Sequence, residues 1–139
     1  MTIARANLAN ELRIACQQVS RRVRFEPNAE IPPHQVSVLS KLTAGPRTPG
    51  ELADLEQISA PSLTRTANAL AEAGLIARTD HPTDGRCKVL SLTDAGRAVL
   101  QRVARARDDW MYGKLKDLDA DELDVLHQAV DLLRRRVLA

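Results

Sequence analysis

The stretch "ELADLEQISAPSLTRTANALAEAGLIARTDHPTDGRCKVLSLTDAGR", residues 51–97, decides the fold. Its first part spells two short helices. Thr48, just upstream, is an N-cap, Pro49 takes the first helical position and Glu51 stands three residues after the cap. That is a capping box in which the missing N–H of proline costs nothing. Ser59 caps the next helix, which runs to Gly74 with Leu63, Ala67 and Leu70 facing inward at i, i+4 and i+7. Ser62, Arg65, Ala69 and Glu72 fall on the opposite side. Two short helices joined around Gln57-Ile58 give the layout of a helix-turn-helix.

The second part of the stretch is extended. "LIARTD" (75–80) and "CKVLSLT" (87–93) flank "HPTDGR" and predict a two-stranded hairpin. Asp84-Gly85 beside an alternating run predicts a tight turn in which Gly85 takes a positive φ. Arg86 follows at once. An arginine in that place is either a solvated loop charge or the working end of a probe that reaches another molecule.

Helical patterns continue on both sides. Upstream, Leu8, Leu12, Ala15, Cys16, Val19 and Val23 make one apolar stripe over residues 3–24, and the prolines of "FEPNAEIPP" (25–33) break it. Val36, Leu39 and Leu42 predict a helix from Pro33 to Thr43, stopped by Gly45-Pro46. Downstream, Thr93 caps a long helix from Asp94 to near Lys116, with Val99, Val103, Ala106 and Trp110 as its stripe. Asp119 and Glu122 form a second capping box. Leu123, Leu126, Val130, Leu133 and Val137 then repeat at the spacing of a coiled-coil seam. The first and last helices carry more apolar surface than the central unit needs, which predicts a dimer built from them.

Composition narrows the function classes. The chain has 139 residues, 44% hydrophobic, with Phe25, Trp110 and Tyr112 as its aromatic residues, so the core is aliphatic. No apolar run approaches the ~20 residues that cross a membrane, and the N-terminus has no signal-peptide segment, so a cytoplasmic protein is expected. The net charge of +2 says little about nucleic acid; a basic surface must come from local placement. Cys16 and Cys87 lack CxxC spacing and a nearby histidine, so neither a structural metal nor a disulfide is expected. His34, His81 and His127 are scattered, and no nucleophile–base pair or phosphate-cradling glycine loop appears. No cofactor and no enzymatic activity are expected.

Two constellations suit DNA. A helix that reads base edges needs short polar side chains near its N-terminus and a basic residue within reach. Ser59, Ser62, Thr64, Arg65 and Asn68 meet that need, with Pro61 and Thr48 beside them as further candidate contacts. On the hairpin, Arg86 suits a minor groove, where negative potential concentrates, and Asp84 can steady its guanidinium. Arg78 and Lys88 add phosphate contacts. Each set has a plainer meaning: serine and threonine cap helices, and arginines on loops are solvated. Their succession along the chain favours the DNA-contacting reading.

In order, the Thr64-Arg65 helix, "LAEAGLIAR", Asp84-x-Arg86 and "LSLTDAG" resemble the winged helix-turn-helix core of the MarR family of bacterial transcriptional regulators, over residues 48–97. The flanking helices fit that family's dimerisation region. The fold class expected is therefore mainly α with a small β-hairpin. A DNA-binding lobe would span 33–98, with 1–32 and 99–139 as the helical dimerisation region. The resemblance implies a homodimeric repressor on a pseudo-palindromic double-stranded operator, with residues 59–74 in the major groove and Arg86 in the adjacent minor groove. It also implies a small, often aromatic and anionic effector between lobe and dimerisation helices, where Arg21, His34 and Trp110 are candidates. One branch of the family senses hydroperoxides through a first-helix cysteine held by tyrosines. Here only Tyr112 is available, so Cys16 is expected to be a small buried side chain, and nothing marks Cys87 as reactive. The alternatives are a thiol-responsive repressor and a winged-helix interaction module without DNA binding. Arg65, Asp84 and Arg86 together argue against the second.

Overall fold

The computed structural model describes residues 2–27 and 29–139. Helix α1 (Thr2–Phe25) is followed by α2 (Pro33–Ser40), α3 (Pro49–Glu56) and α4 (Ala60–Glu72). Strands β1 (Ile76–Asp80) and β2 (Lys88–Leu92) come next, then α5 (Asp94–Leu115) and α6 (Ala120–Leu132). A π-helical turn, Leu133–Val137, ends the helical chain. The architecture is mainly α with one antiparallel hairpin, as the sequence predicts. The chain divides into two units, Met1–Arg107 and Asp108–Ala139.

In the first unit the core lies between α2, α3, α4, the hairpin and the N-terminal part of α5. Leu39, Leu52 and Leu70 are fully buried there, and Leu63, Leu90 and Val99 close around them. Removing aliphatic area of this kind from water is the dominant stabilising term. The caps set where each helix begins. Thr48 Oγ1 accepts the Glu51 N–H at 3.2 Å, and Glu51 Oε1 accepts the Thr48 N–H at 3.4 Å. Ser59 Oγ accepts the Ser62 N–H at 3.3 Å. Between α3 and α4 the chain turns on Gln57, which adopts a left-handed φ of 55° without being glycine.

Gly74, at φ +75°, ends α4. Thr93 then ties that end to the next helix: its hydroxyl donates to Gly74 O at 2.7 Å and accepts the Gly96 N–H at 3.1 Å. Gly96 itself is buried against the Leu75 backbone, where a Cβ would lie 2.2 Å from Leu75 O. Only hydrogen fits in that space.

The hairpin pairs Ile76 with Leu92 and Asp80 with Lys88. Arg47 adds one antiparallel rung beside β2, exchanging backbone hydrogen bonds with Leu90 at 3.0 and 2.8 Å. A tight turn forms at Asp84–Cys87, the Cys87 N–H donating to Asp84 O at 3.0 Å around Gly85 and Arg86, but Gly85 does not take the expected positive φ. The register leaves residues 81–87 as the loop, and the positive-φ glycines among the described residues are Gly45 and Gly74. Side-chain acceptors on His81 and Asp84 brace the loop around that turn. Helix α2 also stops earlier than expected, at Ser40, with turns carrying the chain to Gly45.

Helix α1 and the second unit differ from this core. On α1 the described side chains are exposed apart from half-buried Val23. Leu8, Leu12 and Val19 lie open. Cys16 is exposed as well, which corrects the expectation of a buried thiol: the apolar stripe is there, but among the described residues of the first unit it stays uncovered. In the second unit, α6 starts at the Asp119–Glu122 capping box and has no buried residue; Leu123, Leu126 and Val130 are exposed. Among the described residues no helix is long and apolar enough to cross a membrane.

Candidate nucleic-acid interface

Helix α4 has two faces because its sequence does. Leu63, Thr66, Ala67 and Leu70 are buried, which turns Ser59, Pro61, Thr64, Arg65 and Asn68 outward. Along that outer face the polar groups form a chain. Ser59 Oγ lies 3.0 Å from Ser62 Oγ, and Arg65 Nη2 donates to Ser62 Oγ at 3.2 Å. Thr64 donates its hydroxyl back to Ala60 O at 2.9 Å, which leaves its oxygen as an outward acceptor. The partial positive charge of the helix N-terminus lies at the same end.

The remaining predicted residues are placed as follows. Thr48 is half-buried and engaged as the α3 cap. Asn68 Oδ1 accepts a hydrogen bond from Arg78 Nη2, joining the exposed side of α4 to β1. Lys88 pairs across the strands with Asp80, which holds the Asp80 carboxyl below its ordinary value, chiefly through that hydrogen bond. Arg78 and Lys88 are exposed and carry their charges on the hairpin flank.

At the tip, Arg86 stands open, with 93% of its side chain exposed. Asp84 Oδ1 accepts both the Arg86 backbone N–H, at 3.1 Å, and its Nε–H, at 3.4 Å. These bonds hold the Asp84 carboxyl below the usual aspartate range, the backbone N–H contributing most. Cys87 Sγ lies 3.7 Å from Asp84 Oδ2, and the negative charge of Asp84 raises the thiol above its ordinary value. A thiol so disfavoured as thiolate is a poor sensor. Sequence reasoning missed His81, whose Nδ1 lies 3.2 Å from each of the Thr83 and Asp84 backbone nitrogens. A histidine is not among the usual turn-forming residues, so nothing in the string announced it.

The expected effector set is only partly assembled. His34 lines a cavity of about 410 Å³ together with Arg24, Phe25, Glu56 and Arg107. Arg21 lies over the Phe25 ring, 5.1 Å from its centroid, and does not line that cavity. Trp110 belongs to the second unit, where Lys114 lies over its ring. Arg24 and Arg107 were not foreseen, because nothing in sequence spacing links residues so far apart. Glu56 is held by Lys41, at 3.0 Å, and by the Ser37 hydroxyl, at 2.9 Å.

Comparison with known proteins agrees with this fold. A model described as MarR family matches residues 30–86. An uncharacterised helix-turn-helix-type transcriptional regulator of Mycobacterium bovis is 37% identical over 130 residues, covering 92% of this chain and 91% of that protein. The solved structure of a transcriptional regulator from Pseudomonas aeruginosa is 29% identical and superposes with a TM-score of 0.83, covering 100% of this chain and 99% of that one. The multiple antibiotic resistance repressor MarR is 25% identical, with a TM-score of 0.72 over 91% of this chain and 94% of that one.

Proposed function

This chain belongs to the MarR family, and from that premise we propose that it is a homodimeric repressor of a pseudo-palindromic operator, released by a small anionic ligand. It is a DNA-binding transcriptional regulator rather than an enzyme. In the proposed complex α4 enters the major groove with Ser62, Thr64 and Arg65 toward base edges and phosphates. The hairpin sets Arg86 in the adjacent minor groove, while Arg78 and Lys88 face the phosphate backbone.

One observation carries this geometry. Arg86 stands fully in solvent, yet Asp84 fixes both its backbone and its guanidinium. A solvated loop charge needs no such support; a side chain that must enter a narrow groove gains from pre-orientation.

The dimer reading is supported by α1 and α6, each of which leaves apolar residues open at helical spacing. Such faces mark interaction surfaces, and a second copy of the chain would cover them. Residues 33–98 would then form the DNA-binding lobe, and 1–32 with 99–139 the dimerisation region. The ligand reading is supported by the cavity beside His34, whose volume suits a small molecule and which combines Arg24 and Arg107 with the Phe25 ring. An aromatic carboxylate matches that lining.

A gel-shift titration on DNA from upstream of the protein's own gene tests the proposal. One dimer should bind per palindromic site, with affinity falling steeply as salt rises. Binding of a monomer, or binding indifferent to salt, would contradict it.

A further inference from the structure

We propose that His81 is a positioning residue: its neutral imidazole holds the hairpin loop in the shape that presents Arg86, so acid loosens the tip and weakens operator binding. This rests on the proposal that Arg86 contacts DNA.

The geometry begins at the ring. Nδ1 lies 3.2 Å from the backbone nitrogens of both Thr83 and Asp84, and 3.3 Å from Thr83 Oγ1. Backbone N–H groups carry fixed protons, so the atom they converge on must offer a lone pair. Nδ1 is therefore bare, and the ring proton sits on Nε2. Asparagine and aspartate do the same work in turns, receiving N–H groups a few residues on through an oxygen at the same distance from Cα. The loop is closed by His81 N–H to Cys87 O and Cys87 N–H to Asp84 O, each at 3.0 Å. With its own N–H anchored on His81, Asp84 turns Oδ1 to Arg86. The order of support is His81, then Asp84, then Arg86.

Protonation breaks the first link. A proton on Nδ1 would face the two backbone N–H groups and leave both without their acceptor, with the Thr83 hydroxyl oxygen at 3.3 Å as the group that can receive it. Among the charged and titratable groups of the hairpin, Asp84 feels the His81 charge directly, and Arg86, the Cys87 thiol and the Asp80–Lys88 pair lie beside it in the same loop and strand ends. An imidazolium displaced from its turn is drawn to Asp84, where it competes with Arg86 for the same carboxylate. Its added positive charge also attracts phosphate, an effect of opposite sign, so the direction of the pH response is itself diagnostic.

The test measures operator binding by the full-length protein between about pH 8 and about pH 5.5, for wild type, His81→Asn, His81→Ala and Arg86→Ala. Asparagine keeps the acceptor and does not titrate. Wild type should lose about tenfold more affinity on acidification than His81→Asn, and His81→Ala should bind weakly at both ends. Matching profiles for wild type and His81→Asn, or tighter wild-type binding in acid, would overturn the proposal. The ring is read separately by nitrogen NMR on the free protein. A bare Nδ1 whose titration moves the Thr83 and Asp84 amide signals supports the positioning role, and a protonated Nδ1 at neutral pH refutes it. If Arg86→Ala binds like wild type, the groove-contact reading fails while the NMR result still decides the role of His81.

Discussion

A single oxygen, Asp84 Oδ1, lies 3.1 Å from the Arg86 backbone nitrogen and 3.4 Å from its Nε, so one carboxylate sets both the course of the chain and the direction of the side chain. Asp84→Ala removes a negative charge from the surface that would face DNA in the proposed complex, and on charge alone it would bind more tightly. The positioning role predicts the reverse, a loss of about three- to tenfold by fluorescence anisotropy. In an Arg86→Ala background the same change should have no further cost. Tighter binding by Asp84→Ala would mean that the contact is incidental.

The pH sign for this carboxylate follows from its direction of shift. Asp84 is held below its ordinary value of 3.8, first by the Arg86 N–H and then by the guanidinium. Its contribution to the folded tip is present above that ordinary value and is lost as pH falls through the lowered one. In His81→Asn, whose tip has no imidazole to protonate, a titration of the Arg86 amide signal should therefore show the Asp84 contact intact in mild acid and lost only as pH falls through the lowered value of Asp84. Loss of the contact in that variant above the ordinary Asp84 value of 3.8 would contradict this.

Cys87 answers to the same charge. Asp84 raises its thiol, so alkylation of Cys87 near neutral pH should be slow and should quicken in Asp84→Asn, with Cys16→Ser as background. Equal rates by mass spectrometry would remove the electrostatic account.

Gly96 is required by space rather than by dihedral angle. A Cβ there would meet Leu75 O at 2.2 Å and Leu92 Cδ1 at 2.7 Å, and backbone cannot step aside. Gly96→Ala should cost about 1–3 kcal/mol in urea unfolding, as overpacked sites do. An unchanged midpoint would show that α5 shifts freely.

The exposed faces of α1 and α6 make a separate claim. Leu12→Asp and Leu126→Asp each place a charge in a surface that the dimer would bury, and light scattering at micromolar concentration should show a shift toward monomer. Two variants as dimeric as wild type would place the interface elsewhere.

Much of this was legible in the sequence because local chemistry has local signatures. Thr48 with Glu51, Asp119 with Glu122, and Ser59 each announced a helix start, and each cap forms. The buried stripe of α4 and the Asp84–Arg86 pairing could be read in the same way. What could not be read depends on contacts between distant residues or on unusual turn chemistry. The Arg47–Leu90 rung, the ion pair of Arg102 with Glu30 and the cationic lining beside His34 join segments that no spacing rule connects. Gln57 takes a left-handed φ that sequence patterns reserve for glycine, and His81 does the work of an asparagine. Cys16 was misjudged because an apolar stripe does not say whether its partner lies in the same chain.

The central claim is that α4 and the hairpin tip read DNA together. Equilibrium binding of wild type, Arg65→Ala and Arg86→Ala to the same palindromic operator, over a range of salt, tests it most directly. Each substitution should weaken binding by about tenfold or more, while leaving the oligomeric state and the thermal unfolding of the free protein unchanged. If both variants bind as tightly as wild type at every salt concentration, the groove assignment is wrong.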